Sequence, residues 1–253
     1  LTPERLAAAI TPKTRWLLLN APANPSGAVY SDAEIAALGA VLAPHERVLV
    51  LSDEIYEHIL FDGLKFRFFA ALCPDLKERT LTVNGVSKAY AMTGWRIGYG
   101  AGPKALIAAM TKVQSQISSG ACSIAQAAAA AALSGPQDEV RRFCAAGDAR
   151  RELVVARLSD IPGLTLDPPG GAFYALIGCA GLMGALTPEG ETLRTDGDVT
   201  AYLLRAAGIA AVPGSAYDLS PFFRISTAAS EEVLGTALDR IAAAVADLKG
   251  PFT

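Results

Sequence analysis

Apolar residues are distributed along this chain in two textures. Short β-rich runs at 15–20, 47–52, 80–84 and 97–101 are separated by longer, alanine-rich stretches in which apolar positions recur at helical spacing. That alternation is the order of βαβ units and predicts a mainly parallel sheet flanked by helices. The run at 15–20 ends in a turn-rich segment, 21–27, after which Ser31 and Glu34 are spaced as a capping box for a helix through 42. Pro103 opens a long helix predicted to run toward 133, where Ser134, Gly135 and Pro136 break the pattern. A charged amphipathic helix over 137–158 follows, ends before Pro162 and Gly163, and is suited to link two lobes. Beyond it the elements bunch rather than alternate. Strands are predicted at 171–177, 209–212 and 222–226 and helices at 196–207 and 231–248, with 178–195 an irregular insertion. The expected architecture is an α/β lobe over 1–140 and a smaller α+β lobe over 141–253.

The chain has 253 residues, 51% of them apolar and 19% charged, which excludes disorder and fibrous architectures and supplies core enough for two lobes. The apolar runs fall short of the roughly 20 residues of a membrane span, so no membrane association is expected. Lys and Arg total 22 against 25 Asp and Glu, a net charge of −3 that gives no footprint for nucleic acid. The four cysteines, Cys73, Cys122, Cys144 and Cys179, are scattered without a C-x-x-C pair, the usage of a reducing compartment such as the cytoplasm. His45 and His58 share no metal-ligand spacing with them, so no metal site is expected.

Chemistry concentrates in 84–99, which follows a predicted strand. Ser87 and Arg96 can bind a phosphate through a hydroxyl and a fork-shaped guanidinium, and Lys88 between them is an amine able to form an imine with an aldehyde. A phosphate-bearing aldehyde cofactor requires both functions from one segment. Upstream, Asp53 falls at the carboxyl end of a strand, where open α/β sheets bind ligands, and could pair with a protonated ring nitrogen. Tyr56, three residues on, could donate to a ring oxygen; an ordinary strand-end acid beside a packed tyrosine would read the same. Asn24 lies in the turn Asn24-Pro25-Ser26-Gly27 and is a second donor candidate for that oxygen. Arg224, in the short β run at 222–226, needs an anionic partner: a structural Asp or Glu, or a substrate carboxylate.

Taken together, the run Ser87-Lys88-Ala89-Tyr90-Ala91-Met92-Thr93-Gly94-Trp95-Arg96, the run Ser52-Asp53-Glu54-Ile55-Tyr56, the Asn24–Gly27 turn and Phe222-Phe223-Arg224-Ile225-Ser226 resemble, in this order, the class I/II aminotransferases. These are fold-type I enzymes that use pyridoxal 5′-phosphate (PLP). The runs Gly170-Gly171-Ala172-Phe173-Tyr174 and Val212-Pro213-Gly214-Ser215 add similarity to the bacterial aspartate and aspartate/prephenate aminotransferases. The resemblance implies that Lys88 is the Schiff-base lysine and the proton carrier at the substrate Cα, with Asp53 and Tyr56 as its catalytic partners. Asp53 would face the pyridine nitrogen, Tyr56 and Asn24 the phenolic oxygen, Ser87 and Arg96 the phosphate, and Arg224, with Asn24, the substrate carboxylate. The implied reaction is transamination between an amino acid, aspartate or glutamate, and a 2-oxo acid, in a cytoplasmic homodimer. A PLP lyase or decarboxylase of the same fold and a non-catalytic aminotransferase-like PLP-binding module remain alternatives.

Family members carry a long segment before the N-P-[TS]-G turn, with further phosphate, ring-stacking and partner-subunit residues. On that basis 1–140 is expected to be the C-terminal part of a large PLP-binding domain, and the chain part of a longer protein that binds PLP poorly on its own. Ala23, where a polar residue is common, and Thr227, where an aromatic is usual, depart from the family pattern.

Overall fold

The computed structural model describes residues 1–250 and 252, and within it the chain divides into two units. The first comprises Leu1–Ala23 and Ala28–Cys144, the second Asn24–Gly27 and Ala145–Thr253.

In the first unit, strands β1 (Trp16–Asn20), β2 (Leu49–Asp53), β3 (Thr80–Gly85) and β4 (Gly98–Ala101) form one sheet in that order, parallel from β1 to β3 and antiparallel between β3 and β4. The predicted capping box opens helix α2 (Asp32–Leu42): the Ser31 hydroxyl accepts the Glu34 N–H, while the Glu34 carboxylate accepts the Ser31 N–H at 2.8 Å. Ile35, Leu38 and Leu42 of α2 are buried with Leu19 of β1 and Val48 and Val50 at β2. The far end of α2 is tied by Arg79, whose guanidinium donates to the carbonyls of Leu42, Ala43, His45 and Val48. Helix α1 (Pro3–Ala9), which buries Leu6 in the same core, and the single turn α3 (Phe69–Leu72) carry too few periodic positions to stand out in the sequence.

The long helix predicted from Pro103 toward 133 is two helices, α4 (Lys104–Ile117) and α5 (Ser123–Ser134). Between them Ser119 and Gly120 have positive φ (62° and 154°), and the Gly120 N–H donates to the Ser118 carbonyl at 2.7 Å. The polar Ser118-Ser119-Gly120 run favours local turn bonds over helix continuation.

Helix α6 (Asp138–Leu158) contains the division between the units. The second unit has an antiparallel sheet in the order β5 (Thr165–Leu166), β6 (Tyr174–Gly178), β8 (Phe222–Ser226), β7 (Val212–Pro213). Helices α7 (Asp196–Ala207) and α8 (Glu231–Ala246) share its core, where Ile177, Leu203, Phe223 and Ile241 are buried, and the Tyr202 hydroxyl donates to the Ala244 carbonyl at 2.7 Å. The strand predicted at 209–212 is confined to β7, which starts only at Val212. The irregular 178–195 segment is part of this core rather than an appendage: Leu182, Ala185 and Leu193 are buried, and Leu186 bridges to Thr192 and Lys249. Among the described residues no helix is long and apolar enough to cross a membrane.

Candidate active site

The register of the parallel strands levels their carboxyl ends. Asn20 lies beside Asp53, and Asp53 beside Val83, so the residues that follow each strand gather along one edge of the sheet, the usual ligand edge of open α/β sheets. Asp53 closes β2 there, its carbonyl accepting from the Asn20 side-chain amide and the Ala21 N–H, each at 3.2 Å. Its carboxylate accepts the Ile55 N–H at 3.3 Å. Burial pushes this carboxyl above its ordinary value of 3.8, and the hydrogen bond and the charge of Lys88 only partly offset the rise. A half-buried acid in this condition gains from one further cation, such as a protonated ring nitrogen.

Lys88 sits in the turn that follows β3, anchored by buried Val86 and Ala89 on either side. Its Nζ lies 5.8 Å from the ring centroid of Tyr56, which is itself buried. The structure thus groups Asp53, Tyr56 and Lys88. Ser87 is half-buried in the same turn. Arg96 stands exposed after the helical turn Thr93–Trp95, in a left-handed conformation, its Nη1 donating to the Thr93 carbonyl at 2.9 Å. No acidic side chain pairs with it among the described residues, which leaves its charge for an anion. An aldehyde-reactive amine, an acid short of a cation and an unpaired guanidinium form a donor set that fits PLP.

The second unit holds Arg224 and Asn24. Arg224 lies on β8 opposite Leu176 of β6 and Val212 of β7. Its Nη1 donates to Asn24 Oδ1 at 2.8 Å, and its Nε is buried with no hydrogen-bond partner. Of the two partners left open for Arg224, a structural Asp or Glu is not found among the described residues. Asn24 reaches it because the 24–27 loop closes on Gly27, whose φ is +69° and where a Cβ would come within 2.4 Å of Pro169 Cβ.

Two residues beside Arg224 were not singled out by the sequence. The guanidinium carbon lies 4.5 Å from the ring centroid of Tyr174 and 5.5 Å from that of Tyr217. Tyr174 belongs to the G-G-A-F-Y run; Tyr217 is the aromatic three residues past Gly214, and nothing local marks it. The thiols of all four cysteines are free, and Cys179, buried next to Asp196, is pushed up to about 12. Thr227 is buried, its N–H donating to the Phe173 carbonyl at 2.9 Å.

The mainly parallel sheet with flanking helices, followed by an antiparallel α+β unit, matches an aminotransferase fold. The chain belongs to the class I and II aminotransferases, whose family profile, "Aminotransferase class I and II", matches residues 1–241. It is 58% identical over 244 residues to the aspartate aminotransferase of Rhizobium meliloti strain 1021, covering 96% of this chain and 60% of that protein. With the aspartate/prephenate aminotransferase of Cereibacter sphaeroides it shares 50% identity over 248 residues, 98% of this chain and 62% of the relative. A crystal structure of aspartate aminotransferase from Rhizobium meliloti superposes with a TM-score of 0.96 at 57% identity, covering 98% of this chain and 62% of that one. The chain spans about three fifths of the length of the relatives it matches.

Proposed function

We propose that the protein catalyses PLP-dependent transamination between aspartate or glutamate and a 2-oxo acid. The observation that carries this reading is the grouping of Asp53, Tyr56 and Lys88 at the carboxyl edge of the parallel strands, in a chain of the aminotransferase family. The named activities of the relatives supply the substrate class. PLP, when bound, supplies an aldehyde for an amine and an electron-withdrawing pyridinium that stabilises charge developing at the substrate Cα.

Lys88 would be the amine that receives the aldehyde, and its Nζ would carry the proton from the substrate Cα, a role a flexible primary amine beside an acid can fill. Asp53 keeps a proton on the ring nitrogen; forming that pair restores the charge balance that burial denies its carboxylate. Tyr56 and Asn24 donate to the phenolic oxygen. Ser87 and Arg96 hold the phosphate, Arg96 with a guanidinium not committed to any acid. Arg224 receives the substrate carboxylate and fixes the orientation of the Cα–H bond. A homodimer in the cytoplasm completes the reading, on the family resemblance.

The whole protein, of which this chain is expected to be part, should yield oxaloacetate and glutamate in equal amounts when supplied with PLP, aspartate and 2-oxoglutarate. Asp53→Asn should slow this by about a hundredfold or more, the effect of removing a preorganised charge at a reacting centre. Release of carbon dioxide without amino transfer would replace transamination by the lyase reading.

A further inference from the structure

On the reading that Arg224 receives a substrate carboxylate, we propose that Tyr174 and Tyr217 are positioning residues whose rings hold its guanidinium between them and leave Nη2 to the ligand. An arginine side chain has many rotamers, and bidentate capture of a carboxylate uses one of them, so affinity depends on how far that rotamer is fixed beforehand. Here three groups bear on it. The rings of Tyr174 and Tyr217, 4.5 Å and 5.5 Å away, are both within cation–π reach, and Asn24 Oδ1 takes Nη1 at 2.8 Å.

The nature of these partners matters as much as their number. Ring faces and an amide oxygen attract a cation without neutralising it, whereas a carboxylate partner would cancel the charge that the ligand needs. No Asp or Glu pairs with Arg224 among the described residues, and its hydrogen bond to Asn24 engages Nη1. The guanidinium is held in place with its charge uncommitted.

Both tyrosines are anchored through their surroundings. Tyr174 is buried at the start of β6, its ring 4.8 Å from that of Phe173. Tyr217 ends the helical turn Gly214–Tyr217, which is pinned to the core by Asp196: this carboxylate is only 2% exposed and accepts the Ser215 N–H at 2.7 Å. The Leu219 N–H donates to the Gly214 carbonyl at 2.9 Å, closing the turn so tightly that a Cβ at Gly214 would lie 2.0 Å from the Leu219 carbonyl oxygen. A buried acid and an obligatory glycine thus serve a turn whose last side chain is the second face of the clamp.

The test is the affinity of the PLP-loaded whole protein for maleate, a dicarboxylate without an amino group, measured by calorimetry beside the KM for aspartate. Tyr217 is half-buried, so truncation leaves the core intact, and thermal melts verify folding of each variant. Tyr217→Leu should weaken maleate and raise the KM by about three- to tenfold with kcat changed less, the loss of one cation–π face. Tyr217→Phe, which keeps the ring and drops the hydroxyl, should stay within about twofold of the parent. A Tyr217→Leu protein that binds maleate as tightly as the parent overturns the clamp, and so does a Tyr217→Phe protein as weak as Tyr217→Leu. If the parent binds no maleate and Arg224→Lys leaves the KM unchanged, the carboxylate reading of Arg224 fails first, and the clamp with it.

Discussion

Asp53 and Glu54 are adjacent acids in different surroundings. Asp53 is partly served by the Lys88 charge, whereas Glu54 is 1% exposed, with Oε1 accepting the Ser52 hydroxyl at 2.8 Å and the Phe69 N–H at 3.1 Å and Oε2 buried without a partner. Burial raises the Glu54 carboxyl above its ordinary 4.5, its hydrogen bonds oppose the rise, and the charges of Glu57 and Asp53 add to it. An acid whose folded value is raised binds its proton more tightly in the folded state. Its effect on stability is therefore absent below the unfolded value, near 4.5, and becomes a growing loss as pH rises from there toward the raised folded value. Glu54→Gln, a neutral mimic of the protonated acid, should remove that part of the pH slope. Thermal melts between pH 4 and pH 8 are expected to show the variant gaining on the parent as pH rises; parallel curves would mean that Glu54 is ionised without penalty. The sequence showed an acid pair in S-D-E-I-Y but not which of the two is buried, because burial of Glu54 depends on Phe69, fifteen residues away.

At the scale of elements, local signals were read correctly where the determining residues are neighbours. The Ser31–Glu34 box lies within four residues and opens α2 as the spacing predicts. Ser31→Ala should cost about 1 kcal/mol, measurable as a lower denaturation midpoint with an unchanged denaturant slope; no change would mean that packing of Ile35 and Leu38 alone fixes this helix end. The 103–133 stretch misled because apolar periodicity reports spacing and not burial. Met110, Val113 and Ile117 of α4 and Ile124 of α5 continue the helical pattern yet are exposed, so no packing within this unit enforces continuity across Ser118-Ser119-Gly120. The 178–195 segment escaped for the opposite reason. Its buried Leu182, Ala185 and Leu193 follow neither a helical nor a strand period, and their place is set by contact with distant chain such as Lys249.

For the whole molecule, order along the chain and order in space part company at Asn24–Gly27, which belongs to the unit built otherwise from 145 onward. Asn24 and Arg224 are bonded across 200 positions of sequence, a pairing no local pattern encodes. The sequence could name both residues as separate candidates but not their pairing, and it could not name Tyr217, whose role depends on a turn pinned by Asp196. Conversely, the level carboxyl ends of β1, β2 and β3 follow from parallel pairing, which the alternation of strands and helices already implied, so Asp53 and Lys88 could be expected near one edge. The account turns on Lys88 being the amine that holds PLP. The most direct measurement is to load the whole protein, of which this chain is expected to be part, with PLP, reduce it with borohydride and map the pyridoxyl-labelled peptide by mass spectrometry. One label per chain, on the peptide containing Lys88, is the predicted result; a label on any other lysine, or none on folded protein, would contradict it.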